Sequence, residues 1–205
     1  ARVQCHEAIV RVVWETTADM ANGPWSAVAV RNPVGGASAY AVPAPEAGLP
    51  AFLRVRVYET PGFNARLGSI VSEVRGSYPD ATLLEASPAL GNSVEEIPDG
   101  ATIRAVFAVS GGTVTAQQVD PSGTSDVEFV PLPWLGDQRL PWPIAMDLEV
   151  AESMLRNAGY GPAYRTVTLR QPVYPGMVEP YFIFGRPGGG FVFVGTESRK
   201  VFLGN

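Results

Sequence analysis

Apolar and polar positions alternate along most of this chain, and the alternation gives way to helical spacing in two places. Ile9-Val10-Arg11-Val12-Val13-Trp14, within a β-branched stretch from Val3 to Trp14, predicts a strand. Trp25 to Val30 and Ala37 to Val42 predict two more, bounded by Asn22-Gly23-Pro24 and Asn32-Pro33. In Phe52–Tyr58, Leu53, Val55 and Val57 share one face, while Phe52, Arg54, Arg56 and Tyr58 share the other. A half-solvated antiparallel strand has that period. The first sixty or so residues therefore predict a small antiparallel sheet.

Leu67, Ile70, Val71, Val74 and Tyr78 then fall on one helical face, ended by Gly76 and Pro79. Strands are expected at Ala81–Ala86 and Ile103–Val109, with Gly111-Gly112 turning the chain into Thr113–Val119. The second helix starts at Asp147, a good N-cap. Leu148, Ala151, Leu155 and Ala158 line it, and Gly159 sits where a C′ glycine belongs. Strands follow at Thr166–Gln171, Tyr181–Phe184, Phe191–Val194 and Val201–Leu203. Phe182, Phe184, Phe191 and Phe193 are expected to fill part of the C-terminal core.

Residues 65–119 and 147–203 thus share an order of one helix followed by antiparallel strands, which suggests a duplicated unit. The expected class is α+β, mostly antiparallel β with two main helices: two helix-plus-strands units preceded by a small N-terminal sheet. The expected layout is a β-rich subdomain over 1–120, a linker over 121–146 and an α/β subdomain over 147–205. The linker reading rests on Pro121, Pro131, Pro133, Pro141 and Pro143 with Gly123 and Gly136.

The last of these units carries Asp147-Leu148-Glu149-Val150-Ala151, Ala158-Gly159-Tyr160 and the aromatic pair Tyr181-Phe182-Ile183-Phe184 and Phe191-Val192-Phe193-Val194. In these residues it resembles the PepSY-type α/β modules of secreted bacterial proteins. The resemblance covers about a quarter of the chain. It implies an inhibitory or protein-binding role.

Composition narrows the partners. Charged residues make up 17% and hydrophobic residues 46%, which opposes disorder. The net charge is -5, the arginines are scattered singly, and Lys200 is the only lysine. Nucleic acid and anionic membrane are disfavoured, since both call for a basic face. No apolar run reaches the ~18–20 residues of a membrane span, and residues 1–15 are too charged for a signal peptide. An Ala at the first position is compatible with a removed initiator Met and with a cleaved signal, and a soluble protein, cytoplasmic or secreted, is expected. Cys5 is the only cysteine, so no internal disulfide forms. A homo-oligomer is left open.

No catalytic, cofactor or metal motif emerges. Cys5 and His6, the one Cys–His neighbourhood, point to opposite faces of a regular strand. Ser110-Gly111-Gly112 reads as a hairpin turn, not a nucleophile elbow. An all-oxygen calcium site near Asp120, Ser122, Asp126 and Glu128 lacks EF-hand spacing. Glu95-Glu96 and Asp147 with Glu149 are carboxylate pairs, but a glycosidase sets its acids apart across a cleft. Gly188-Gly189-Gly190 leads into a strand rather than the helix N-terminus that a phosphate cradle needs.

The window Trp134-Leu135-Gly136-Asp137-Gln138-Arg139-Leu140-Pro141-Trp142 stands out. Indole faces suit the C–H faces of sugars, and an acid, an amide and a guanidinium suit sugar hydroxyls. The competing reading has both tryptophans plugging a junction between subdomains. The expected ligand site is Trp134, Asp137, Gln138, Arg139 and Trp142. The expected function is non-catalytic glycan binding of a lectin-like kind. The alternatives are a protein-binding or protease-inhibitory module, and a carboxylate-dependent enzyme.

Overall fold

The structure is a computed structural model that describes residues 11–17, 26–31, 52–58, 61–91, 93–98, 100–118, 125–161 and 163–204. The expected strand at 37–42 and the Cys5-His6-Glu7 neighbourhood lie outside them, as do Asp120 and Ser122. Strands β1 (Arg11–Thr17), β2 (Ser26–Arg31) and β3 (Phe52–Tyr58) form a small antiparallel sheet in the order β2-β1-β3.

Helix α1 (Phe63–Ser77) buries Phe63, Leu67, Ile70, Val71 and Val74. It runs through Gly76 and stops at Tyr78, before Pro79. Strands β4 (Thr82–Pro88), β5 (Ile103–Val109), β6 (Gly112–Gln118) and β7 (Ser125–Val130) follow as an antiparallel meander. After a two-residue strand β8 (Asp137–Gln138) comes helix α2 (Leu148–Asn157). The Asp147 side chain caps α2 by accepting from the Leu148 N–H, and Gly159 takes the positive φ of 79° beyond its end. Strands β9 (Thr166–Pro172), β10 (Tyr181–Gly185), β11 (Phe191–Gly195) and β12 (Val201–Gly204) make the second meander. The fold is α+β, two helices on mostly antiparallel β.

Both meanders belong to one sheet, in the order β12-β11-β10-β9-β4-β5-β6-β7. Each helix is followed by a four-stranded meander, and the first strand of each meander meets the other antiparallel at the centre. Glu85 pairs there with Arg170, and Ala86 with Leu169. Beyond that short seam β8 takes over beside β9, with Asp137 opposite Pro172 and Gln138 opposite Gln171. The stretch 121–146 thus contributes β7 and β8 to the same sheet.

The strand period of two sorts the side chains onto two faces. The helix-covered face carries Leu83, Ala86, Ala105, Phe107, Val114, Leu169, Phe182, Phe184, Val192 and Val194, all buried in one core with the apolar faces of α1 and α2. Phe63 packs edge-on against Phe182, and Tyr164 against Phe184. Helix α2 also runs along β2, which explains why Val150 and Ser153 are buried as well as Leu148, Ala151 and Leu155.

The same period corrects one expectation. Phe182 pairs with Val194 and Phe184 with Val192, so Phe191 and Phe193 must point to the helix-free face. Phe191 is 53% exposed. Phe193 stacks on Phe202 at 5.2 Å and meets Tyr181 edge-on. Gly204 leaves room for that ring, because a Cβ there would come within 2.3 Å of it.

Candidate functional site

The candidate site forms where β4 begins and β9 ends. A bulge in β4 starts it: Leu83 faces Phe107, and Glu85 then faces Val106, which leaves Leu84 unpaired. The Leu83 carbonyl accepts from the Leu140 N–H at 2.8 Å, which draws the chain after β8 alongside β4.

Asp137 is the centre of the arrangement. Its side chain is 1% exposed. Its Oδ2 accepts from the Trp134 indole N–H at 2.8 Å. Its Oδ1 lies 3.4 Å from the Arg170 guanidinium, yet no donor is aligned on that oxygen. Arg170 faces Glu85 across the central seam, and Glu85 lies 3.7 Å from Arg104. The Arg104 guanidinium in turn sits 6.0 Å from the centre of the Trp134 ring, at cation–π range. Trp134, Asp137, Arg170, Glu85 and Arg104 thereby close a ring of contacts. Burial raises the Glu85 pKa above its ordinary value and the Asp137 charge adds to this, against the pull of Arg170 and Arg104.

Beside this ring lies a pocket of about 420 Å³. Its polar side chains are Asp137 and Arg139, with the Trp134 indole, and its apolar wall includes Leu84, Val109 and Pro133. Gly111, in the β5–β6 turn at φ 85°, completes the rim.

The structure therefore brings Trp134, Asp137 and Arg139 together, and it directs Gln138 and Trp142 elsewhere. Gln138 is exposed, and its amide oxygen accepts from Gln171 at 3.2 Å. Trp142 is half-buried on the helix side, packed against the core and against α1 at Gly68. The chain crosses from one side of the sheet to the other between the two tryptophans, and buried Leu140 marks the crossing.

A comparison with known protein families finds none that matches this chain, and a comparison with curated proteins finds no match either. Among solved structures, it resembles a candidate lipoprotein from Clostridium difficile 630, with 10% identity and a TM-score of 0.45 over 66% of this chain and 89% of the other. A likeness at that level carries no functional argument.

Other sequence candidates fall in separate places. Asp126 and Glu128 share one face of β7 and border a second pocket of about 660 Å³ with Thr115 and Gln117. Ser110 lies in the β5–β6 turn, where its N–H donates to Asp80 at 2.6 Å. Gly189 and Gly190 take positive φ in the β10–β11 turn. Glu95 and Glu96 are exposed on the connection between β4 and β5.

A buried acidic cluster sits under the helix starts. Asp147 accepts from the N–H of Leu148 and of Asn64, so the first turns of both helices converge on one carboxylate. Burial, and then the charge of Glu149, push its pKa up to about 8. Burial pushes Glu152 up to about 7, against the Tyr164 hydroxyl, Arg156 and the Ile97 N–H. The Tyr164 hydroxyl donates to Glu152, and burial raises its own pKa further.

Reading the sequence missed Glu85, Arg104 and Arg170. They are lone charges on alternating strands, ordinary for a solvated sheet face. Only the register that sets β4 against β9 makes them neighbours of Asp137.

Proposed function

We propose that this chain is a non-catalytic binding protein whose pocket at Trp134, Asp137 and Arg139 takes a saccharide. The observation that carries the reading is that Trp134, Asp137 and Arg139 line one pocket of the size that small ligands occupy. Arg139 offers guanidinium donors to sugar hydroxyls. Leu84, Val109, Pro133 and the Trp134 indole offer apolar surface to the ring C–H groups. The ion pairs behind Asp137 hold it in place before the ligand arrives, which lowers the ordering cost of binding.

A glycan array followed by calorimetric titration of the best saccharide tests this. Wild type is expected to bind, and Asp137→Asn to lose at least about tenfold in affinity, a difference of ~1.4 kcal/mol. An array with no saccharide above background overturns the reading. So does binding that survives both Asp137→Asn and Arg139→Ala unchanged.

A further inference from the structure

Two loops at the pocket end of the sheet expose more apolar surface than folding explains. Leu135 is 85% exposed and Leu132 65% on the loop between β7 and β8; Val178 is 82%, Tyr174 68% and Val173 64% on the loop between β9 and β10. The loops are neighbours: Val173 donates its N–H to the Gly136 carbonyl at 3.3 Å, which continues the pairing of Asp137 with Pro172. Residues 131–136 and 173–178 contain no charged side chain, and prolines at 131, 133 and 175 stiffen them. These side chains are the exposed tips of two neighbouring loops.

Around the tips the charge is cationic. The β9–β10 loop is pinned to the β11–β12 turn by Glu179, whose carboxylate accepts from the N–H groups of Glu197 and Ser198. That turn presents Arg199 and Lys200, both exposed. Arg139 beside β8 and Arg75 at the end of α1 are exposed at the same end. Among the described residues, the exposed acids there are Glu197 and Asp80, and Asp80 is engaged by the Ser110 N–H. On a chain of net charge -5, the described residues of this end thus include more exposed cations than acids. Uncharged aliphatic tips with an interfacial tyrosine, set inside a cationic border, match the layers of a bilayer surface: acyl boundary, interface and phosphate plane.

We infer that the two loops dock this protein on a lipid bilayer, with Leu135 and Val178 entering the acyl boundary and Arg139, Arg199 and Lys200 facing lipid phosphates. The net charge of the whole chain argues against anionic membrane. The local border argues for it, because at physiological salt charges more than about 8 Å from the contact are largely screened.

The test is co-sedimentation of the full chain with phosphatidylcholine vesicles, alone and with a minor fraction of phosphatidylglycerol. Wild type is expected to pellet with both, and more strongly with the anionic lipid at physiological salt, where the chain's distant acids are screened. The double variant Leu135→Asp with Val178→Asp is expected to partition at least roughly tenfold less. Its melting temperature should stay at the wild-type value, since both side chains are already in water. Wild type remaining in the supernatant with both vesicles overturns the inference, as does a double variant that still pellets. Loop-dependent self-association in sedimentation velocity, without vesicle binding, would assign the patch to a protein interface and also overturn it.

Discussion

The Trp134 indole N–H donates to the Asp137 carboxylate at 2.8 Å, and this one bond turns a proline-rich loop into the wall of a pocket. The bond also fixes which edge of the indole is used, and leaves the second carboxylate oxygen facing Arg170.

Trp134→Phe keeps the ring and removes the donor. It leaves a buried carboxylate short of one hydrogen bond, a cost of ~1–3 kcal/mol. Urea denaturation is expected to show a loss of that order. In calorimetry with the array-selected saccharide, affinity is expected to fall with it. Wild-type stability and wild-type affinity together would mean that the bond does not organise the site.

Trp142→Ala is expected to behave differently. Trp142 packs against α1 and the core, so its loss should cost several kcal/mol of stability, ~3–5 if the cavity does not collapse. Saccharide affinity measured below the melting transition should stay within a few-fold of wild type. A variant that keeps full stability but loses the ligand would return Trp142 to the site.

The C-terminal hairpin gives a sharper contrast. Phe182 is fully buried and Phe191 is 53% exposed. Phe182→Ala is expected to lower the unfolding free energy by ~3–5 kcal/mol, and Phe191→Ala by less than ~1. Comparable losses in denaturant titrations would contradict the observed register.

The helices were legible in the sequence because their signals are local. Leu67, Ile70, Val71 and Val74 keep the helical spacing, and Asp147 and Gly159 mark the ends of α2. The repeated order of helix and strands was also legible. The β4–β9 seam was not, since pairing between strands so far apart leaves no mark in either. Strand β7 hid among prolines because it is an edge strand, with Val127 and Phe129 about 40% exposed, and it lacks the apolar run of a central strand. Trp134, Asp137 and Arg139 could be picked out by composition. Their separation from Trp142 depends on where the chain crosses the sheet, which composition does not encode.

Acid pH is expected to stabilise this fold. Asp147 and Glu152 have folded-state pKa values raised to about 8 and about 7, so the folded state holds protons that the unfolded chain has released. The stability they supply is complete below the ordinary carboxylate range, near pH 4. It is lost as pH rises through about 7 to 8. Glu152 alone contributes on the order of 3 kcal/mol to this slope. Denaturation at pH 5 and pH 8 should show the larger unfolding free energy at pH 5, and Glu152→Gln should flatten the difference. A rise of stability toward pH 8 would contradict the buried cluster.

The two-pair seam at the centre of the sheet also bears on the order in which the molecule assembles. Within each half, strands join their chain neighbours through hairpins, and such contacts form early because little loop entropy is lost. Glu85 with Arg170 and Ala86 with Leu169 must instead find each other across the whole intervening chain. The halves are therefore expected to collapse as separate nuclei and to close on each other last. In pulse-labelling during refolding, the hairpin amides should gain protection before those at the seam. Until closure, β4 and β9 are unpaired edges, and the half-folded chain is the species most exposed to aggregation.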